Sequence, residues 1–361
     1  MTTPSKSSLL LCLLLGIYAS LFSQNKMQLP MEDLPPVSLE AAGLNPDSVQ
    51  RLLDLIDQQT RYDFRSFILI KDQKMVLEEY RNSFWRETIH DIRSAGKSVT
   101  ALLMGIAIDQ GLVESAEARV YDFFPEITPP TKAHRDIRIK HLLHMSSGLD
   151  ADTDDSDTPG NSYNWIAQDD WITPVLNLSM TFEPDSRWVY NDACAMLCAA
   201  IIEKTSGKSL SDFAREHLFT PLGEREFYWF QNASGTTGGM GNLYISNLTF
   251  AKLGLLVLNK GKYQGKQIIS SSWIEQCMTP ALDLNDDWPE GTQYGFFWYL
   301  YPVQENGKTY QCAYATGNGG NKVFVLPELN MVLAVQSSAY GQGYGHGRAW
   351  YILYALLRAL K

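Results

Sequence analysis

Three long apolar runs and two groups of shorter alternating ones divide this chain. From Val99 to Ile108 nearly every position is apolar, with Ala101, Leu102, Leu103, Met104, Ile106 and Ala107 leaving no polar face. A helix with that pattern is buried all round. Ala193 to Thr205 and Leu248 to Leu258 repeat it, and Ser271 to Met278 gives a shorter helix. Asn45-Pro46-Asp47 is a helix start, a capping side chain followed by proline, and predicts a helix through Ile56. Strands are predicted at Ser66 to Ile70 and Met75 to Tyr80, around the turn Lys71-Asp72-Gln73-Lys74. Four more are predicted late in the chain, at Phe296 to Tyr301, Tyr310 to Ala315, Lys322 to Leu326 and Met331 to Gln336. Trp350 to Lys361 follows as a helix, and residues 112–225 read as mostly helical with long loops.

Strands near both ends with helices between them predict an α+β fold. Its mainly antiparallel sheet is built from both chain ends and flanked by helices, and a mostly helical lobe is inserted at about residues 90–245. The domain is expected to span 45–361, after a Pro-rich lead-in at 24–44. Residues 1–23 read as a signal peptide: Lys6 supplies positive charge, Leu9 to Phe22 the apolar segment, and Ala19, Ser20 and Ser23 small residues for cleavage. That segment is shorter than the ~20 residues of a membrane span. The expected location is therefore secreted or periplasmic, with no stable membrane span after signal removal.

Composition narrows the partners. The chain of 361 residues carries a formal charge of −10, which argues against nucleic acid. Of its five cysteines, Cys12 falls in the leader. Cys194 and Cys198 share a helix face and read as core thiols, whereas sequence chooses no pairing among these two, Cys277 and Cys312. No cysteine and histidine spacing resembles a zinc site, so neither metal nor cofactor is expected.

The chemistry centres on Ser94-Ala95-Gly96-Lys97, at the mouth of the first apolar run. Residues three apart face the same way on a helix. A serine hydroxyl becomes a useful nucleophile when a base lies within hydrogen-bond reach, and a lysine held neutral can be that base. Ser23 and Lys26 show the same spacing with nothing around them to support a site; the buried helix sets Ser94 apart. Its position near a helix N-terminus also suits a backbone N–H to an oxyanion. Trp188-Val189-Tyr190-Asn191-Asp192-Ala193 places a tyrosine before the second apolar helix, where it could shuttle a proton. Ala315-Thr316-Gly317-Asn318-Gly319-Gly320-Asn321 puts glycines at a strand edge, which permits close approach by a ligand.

In this order the three pieces resemble the serine β-lactamase and penicillin-binding-protein superfamily. Within it they resemble the class C-like branch, with its esterases, D-amino-acid peptidases and 6-aminohexanoate-dimer hydrolases. His141 to Leu149, Ile201 to Gly207 and Gly265 to Ser270 are similar as well, so the resemblance runs from about Asp47 to the C-terminus. It implies Ser94 as nucleophile, Lys97 as base and Tyr190 as partner in proton transfer. It also implies Asp192, Gly317, Asn318 and Gly319 on the substrate side, with an oxyanion hole formed by the Ser94 N–H and one N–H near Asn318 or Gly319.

Two departures matter. The chain has Tyr190-Asn191-Asp192 where Tyr-x-Asn is frequent in the family, and an aspartate near Lys97 would favour the charged lysine. The third motif lacks a Lys or His before its glycine, the residue that anchors a substrate carboxylate in many relatives. The expected function is a serine hydrolase that cleaves a small-molecule ester or amide through an acyl-serine. The alternatives are a catalytically weak or inactive binding or regulatory protein and, more narrowly, a β-lactamase or D-Ala-D-Ala carboxypeptidase. Three other candidates read as structural: the His141 and His144 pair, the acidic loop Asp150 to Asp157, and His346, expected in a loop after the last strand.

Overall fold

Long apolar strands without alternation need cover on both faces, and the computed structural model supplies it. The structure describes residues 34–284, 289 and 291–361. The expected signal peptide and the lead-in up to residue 33 lie outside the described residues. Strands β1 (Phe64–Lys71) and β2 (Lys74–Tyr80) form a hairpin through Asp72 and Gln73, both at positive φ. Two short strands, β3 (His90–Asp91) and β4 (Tyr228–Trp229), pair with β5 (Leu243–Ile245) in a separate three-stranded sheet. β6 (Lys262–Tyr263) and β7 (Lys266–Gln267) form a small hairpin. The rest are β8 (Leu282–Asp283), β9 (Gln293–Tyr294), β10 (Tyr299–Glu305), β11 (Lys308–Gly317), β12 (Asn321–Leu326) and β13 (Met331–Ser337).

The main sheet has eight strands in the order β2-β1-β13-β12-β11-β10-β9-β8, with antiparallel neighbours. β1 pairs directly with β13, Phe67 opposite Val335, so the two chain ends share one sheet. This is the predicted α+β arrangement.

The helices are α1 (Pro46–Asp57), α2 (Gly96–Asp109), α3 (Lys132–Asp136), α4 (Ile139–Leu143) and α5 (Ile172–Leu176), then α6 (Asp192–Ser206), α7 (Leu210–Ala214), α8 (Asn247–Leu258), α9 (Ser271–Cys277) and α10 (Gly343–Ala359). Asn45 caps α1 by accepting a hydrogen bond from the Ser48 N–H. α8 covers one face of the sheet, where Gly254 lies so close that a Cβ would sit 2.6 Å from Val323. α10 covers the other: Trp350 packs against Phe324, their ring centroids 4.8 Å apart, and α1 packs on α10.

The last helix begins at Gly343, seven positions ahead of expectation. Glycines at Gly343, Gly345 and Gly347 hid the start, because glycine carries no helix signal of its own. Gly345 is nevertheless needed there, since a Cβ would meet the Gly319 carbonyl at 2.5 Å. His346 therefore stands on a helix rather than in a loop. The stretch 112–225 is less helical than expected, with α3, α4, α5 and α7 of five residues each.

Candidate active site

α2 is buried from Gly96 through Ala107, as its apolar sequence requires, and its head carries the site. Ser94 lies in the single 3₁₀ turn Arg93–Ala95 that leads into it. The turn is entered through Arg93 at φ +54°, an unusual setting for a side chain other than glycine. Arg93 is tied at both ends. Its N–H donates to Asp91 Oδ1 at 2.8 Å, its guanidinium lies 3.1 Å from Asp91 Oδ2, and it sits 4.4 Å over the Tyr340 ring. Backbone strain of this kind persists where the surroundings over-determine it. Here it aims the residue that follows.

Lys97 Nζ reaches Ser94 Oγ at 3.3 Å, so the Ser-x-x-Lys spacing brings hydroxyl and amine together. The amine is buried and makes two stronger contacts, to Asp192 Oδ1 at 2.6 Å and to the Met240 carbonyl at 2.8 Å. It also lies 4.8 Å from the centre of the Tyr190 ring. Burial alone would push the Lys97 amine down. The Asp192 carboxylate, with Tyr190 beside it, more than offsets this and holds the amine above the ordinary lysine range. Lys97 is therefore an ammonium at neutral pH.

Asp192 and Tyr190 come from the start of α6. Asn191 caps that helix by accepting from the Cys194 N–H at 2.8 Å, which leaves its neighbours on either side free to face Lys97. The question raised by Tyr190-Asn191-Asp192 is thus answered: Asp192 points inward, onto the lysine.

The third piece arrives with β11. Gly317 abuts the turn before Ser94 so closely that a Cβ would lie 1.9 Å from the Ile92 carbonyl. Only glycine allows this approach. Beyond it, Asn318 is exposed and its side-chain oxygen accepts from the Gly341 N–H at 2.7 Å. Gly319, at φ +90°, bridges to Ala339.

A fourth segment had no side-chain signature. Residues 239–241 cross under the head of α2. The Gly239 carbonyl accepts from Thr100 Oγ1 at 2.6 Å, the Met240 carbonyl accepts from Lys97, and the Gly241 carbonyl accepts from Trp229 Nε1 at 3.0 Å. A Cβ on Gly241 would stand 3.4 Å from the Ser94 nitrogen.

The other candidates take structural parts. His141 Nδ1 accepts from the Arg138 N–H, and the His144 ring packs on Phe296 at 4.6 Å. In the acidic loop, Asn161 Nδ2 donates to the carbonyls of Asp152, Thr153 and Asp155. Cys194, Cys198, Cys277 and Cys312 are free and buried. Among the described residues no group of three or more His, Cys, Asp or Glu is placed to hold a metal ion, and no helix is long and apolar enough to cross a membrane.

The profile of the Beta-lactamase family matches residues 54–357, most of the chain. The chain belongs to the beta-lactamase family. Curated members of the wider group show the same affinity. Penicillin-binding protein 4* of Bacillus subtilis is 29% identical over 141 residues, which covers 38% of this chain and 30% of that protein. The 6-aminohexanoate-dimer hydrolase of Paenarthrobacter ureafaciens is 23% identical over 256 residues, 68% of this chain and 63% of that enzyme. The chain thus spans less than two thirds of the length of either relative. A class C beta-lactamase structure superposes with a TM-score of 0.65 at 14% identity, covering 87% of this chain and 96% of the other. At that identity the likeness concerns the fold alone. The fold is that of a family of serine hydrolases.

Proposed function

We propose that this protein is a serine hydrolase that cleaves an ester or amide bond of a small molecule through an acyl-Ser94 intermediate. The observation that carries the reading is the contact of Lys97 Nζ with Ser94 Oγ at the head of a fully buried helix, with Asp192 fixing the amine. Because Asp192 keeps Lys97 charged, the proton-accepting role passes to Tyr190, and Lys97 serves as the cation beside it. In this step Tyr190 acts as its phenolate and takes the Ser94 proton as Oγ attacks the carbonyl carbon, becoming the neutral phenol. The Lys97 ammonium, 4.8 Å from the centre of the Tyr190 ring, offsets the charge on the tyrosine oxygen. The oxyanion is held by the Ser94 N–H and an N–H near Asn318 or Gly319. Tyr190 returns the proton to the leaving group, and water then releases the acyl group by the same steps in reverse order.

The substrate reading follows from what stands at the third motif. Ala315 and Thr316 precede Gly317, so no cation from that position meets a substrate carboxylate. This supports neutral esters and amides over penicillins and stem peptides. The apolar stretch Leu9 to Phe22 supports action outside the cytoplasm, and sequencing the N-terminus of the protein recovered from culture fractions tests that assignment.

Incubation with a fluorophosphonate probe and with 4-nitrophenyl acetate tests the reaction. Labelling of Ser94 and an initial burst are expected, both absent in Ser94→Ala. An unlabelled, inactive wild-type protein would reject the hydrolase. The Lys97–Asp192 pair also favours a second reading, a binding protein on the same fold, because it removes the neutral amine. Ser94-dependent turnover of any ester or amide sinks that alternative.

A further inference from the structure

The chain buries three lysines among its described residues. Two are neutralised by a carboxylate: Lys97 by Asp192 at 2.6 Å and Lys252 by Glu224 at 2.7 Å. The third, Lys322 on β12, is only 3% exposed, and among the described residues no carboxylate pairs with it. Its amine donates to Thr316 Oγ1 at 2.5 Å and lies 5.0 Å from the Tyr314 ring and 5.8 Å from the Trp350 ring. A buried, unpaired ammonium is costly, and proteins seldom retain one without a use for it.

Lys322 lines a cavity of about 470 Å³ whose walls include Tyr301, Tyr314, Trp350 and Tyr354, with Thr316 and His346 at its polar end. The cavity is not the Ser94 site. Thr316 pairs with Lys322 and Gly317 with Asn321 across β11 and β12, and neighbouring residues on a strand face opposite ways. Gly317 faces the Ser94 turn, while Thr316 and Lys322 face α10 on the far side of the sheet. A pocket with aromatic walls and one convergent basic end has the anatomy of a small-molecule site.

We propose that this cavity binds a small monocarboxylate with an apolar tail, its carboxylate on the Lys322 amine and the Thr316 hydroxyl and its tail against Trp350, Tyr301 and Tyr354. The ligand supplies the anion that Asp192 and Glu224 supply to the other two lysines. Binding holds Lys322 as an ammonium.

The pH dependence follows from the unliganded amine. Burial pushes Lys322 down to about 7, with Cys312 opposing weakly. The groups facing it are Cys312 and Tyr314 from β11, Tyr301 from β10, and His346 and Tyr354 from α10. Burial raises Cys312, Tyr314 and Tyr354 and lowers His346 to about 4. Below about pH 7 the amine is already protonated and the affinity is level. Above it each binding event takes up a proton, so Kd rises about tenfold per pH unit.

Calorimetric titration of the full chain with 3-phenylpropanoate and with 3-phenylpropanamide tests the site. Saturable binding of the carboxylate is expected at pH 6, with the amide weaker by about tenfold or more and the predicted loss above pH 7. Lys322→Met should weaken the carboxylate about tenfold or more while the protein stays folded, since it removes an unpaired buried charge; Ser94→Ala should leave it unchanged. Equal binding of the carboxylate and amide by the wild type would overturn the proposal. So would undiminished carboxylate affinity in a folded Lys322→Met protein, or no saturation by about 10 mM ligand at pH 6.

Discussion

Asp192 decides what Lys97 can do. With the carboxylate 2.6 Å away the amine stays charged; without it, Tyr190 is left to oppose burial, which drives the amine down. If the ammonium is the working form, Asp192→Asn shifts the alkaline limb of the kcat/KM profile for an activated ester to lower pH by about one unit or more. An unmoved limb would assign the lysine a purely structural part. Gly317 governs distance instead of charge. Gly317→Ala puts a Cβ onto the Ile92 carbonyl, forcing β11 and the Ser94 turn apart. A displacement of that kind near reacting groups costs about 10²-fold in kcat/KM, together with about 1–3 kcal/mol of stability in a urea melt.

Elements carry the next level of the design. α2 is set by its packing against α6 and α9, and Gly105 is the point of closest approach. A Cβ there would lie 2.1 Å from the Trp273 ring, whose indole N–H donates to the Ala101 carbonyl at 2.9 Å. Gly105→Ala should therefore destabilise the protein by about 1–3 kcal/mol, against the usual gain for a helical glycine replaced by alanine. Chemical denaturation reads the sign directly. At this scale the sequence was most legible. Continuous apolar runs announced α2, α6 and α8, and the Ser94 to Lys97 spacing placed two functional groups on one face. The short strands β3, β4 and β5 escaped notice because two or three residues form no period. The Met240 carbonyl and the turned backbone of Arg93 escaped for a different reason: any residue type supplies a carbonyl, and an arginine gives no sign of positive φ. Where Asp192 pointed was likewise open, because it depends on how α6 docks against α2.

Over the whole molecule, the region before β1 is tied to the last helix by charge. Arg348 on α10 donates to Asp63 Oδ1 at 2.7 Å, to Gln59 Oε1 at 3.1 Å and to Ser337 Oγ at 2.5 Å, and Tyr344 adds a hydrogen bond to Asp63. Burial opposes the Asp63 charge, but the hydrogen bonds from Tyr344 and Arg348 outweigh it, so the carboxyl titrates below its ordinary range. A depressed carboxyl contributes stability above its unfolded value, near pH 4, and that contribution fades as pH falls through the folded value. Asp63→Asn is thus expected to cost about 2 kcal/mol at pH 7 and much less near pH 3, as read by thermal unfolding at the two pH values.

The pairing of β1 with β13 also sets the order in which the molecule can be assembled. Arg65 and Ser338, which hydrogen-bond across that seam, are 273 positions apart in sequence. Closing so long a loop is slow, since its entropy is lost before the contact rewards it. A nascent chain therefore holds an apolar hairpin of β1 and β2 with one edge unclaimed until β13 has been made. A chain that stops short of Met331 never covers that edge, and aggregation rather than partial activity is the outcome to expect of such a truncation.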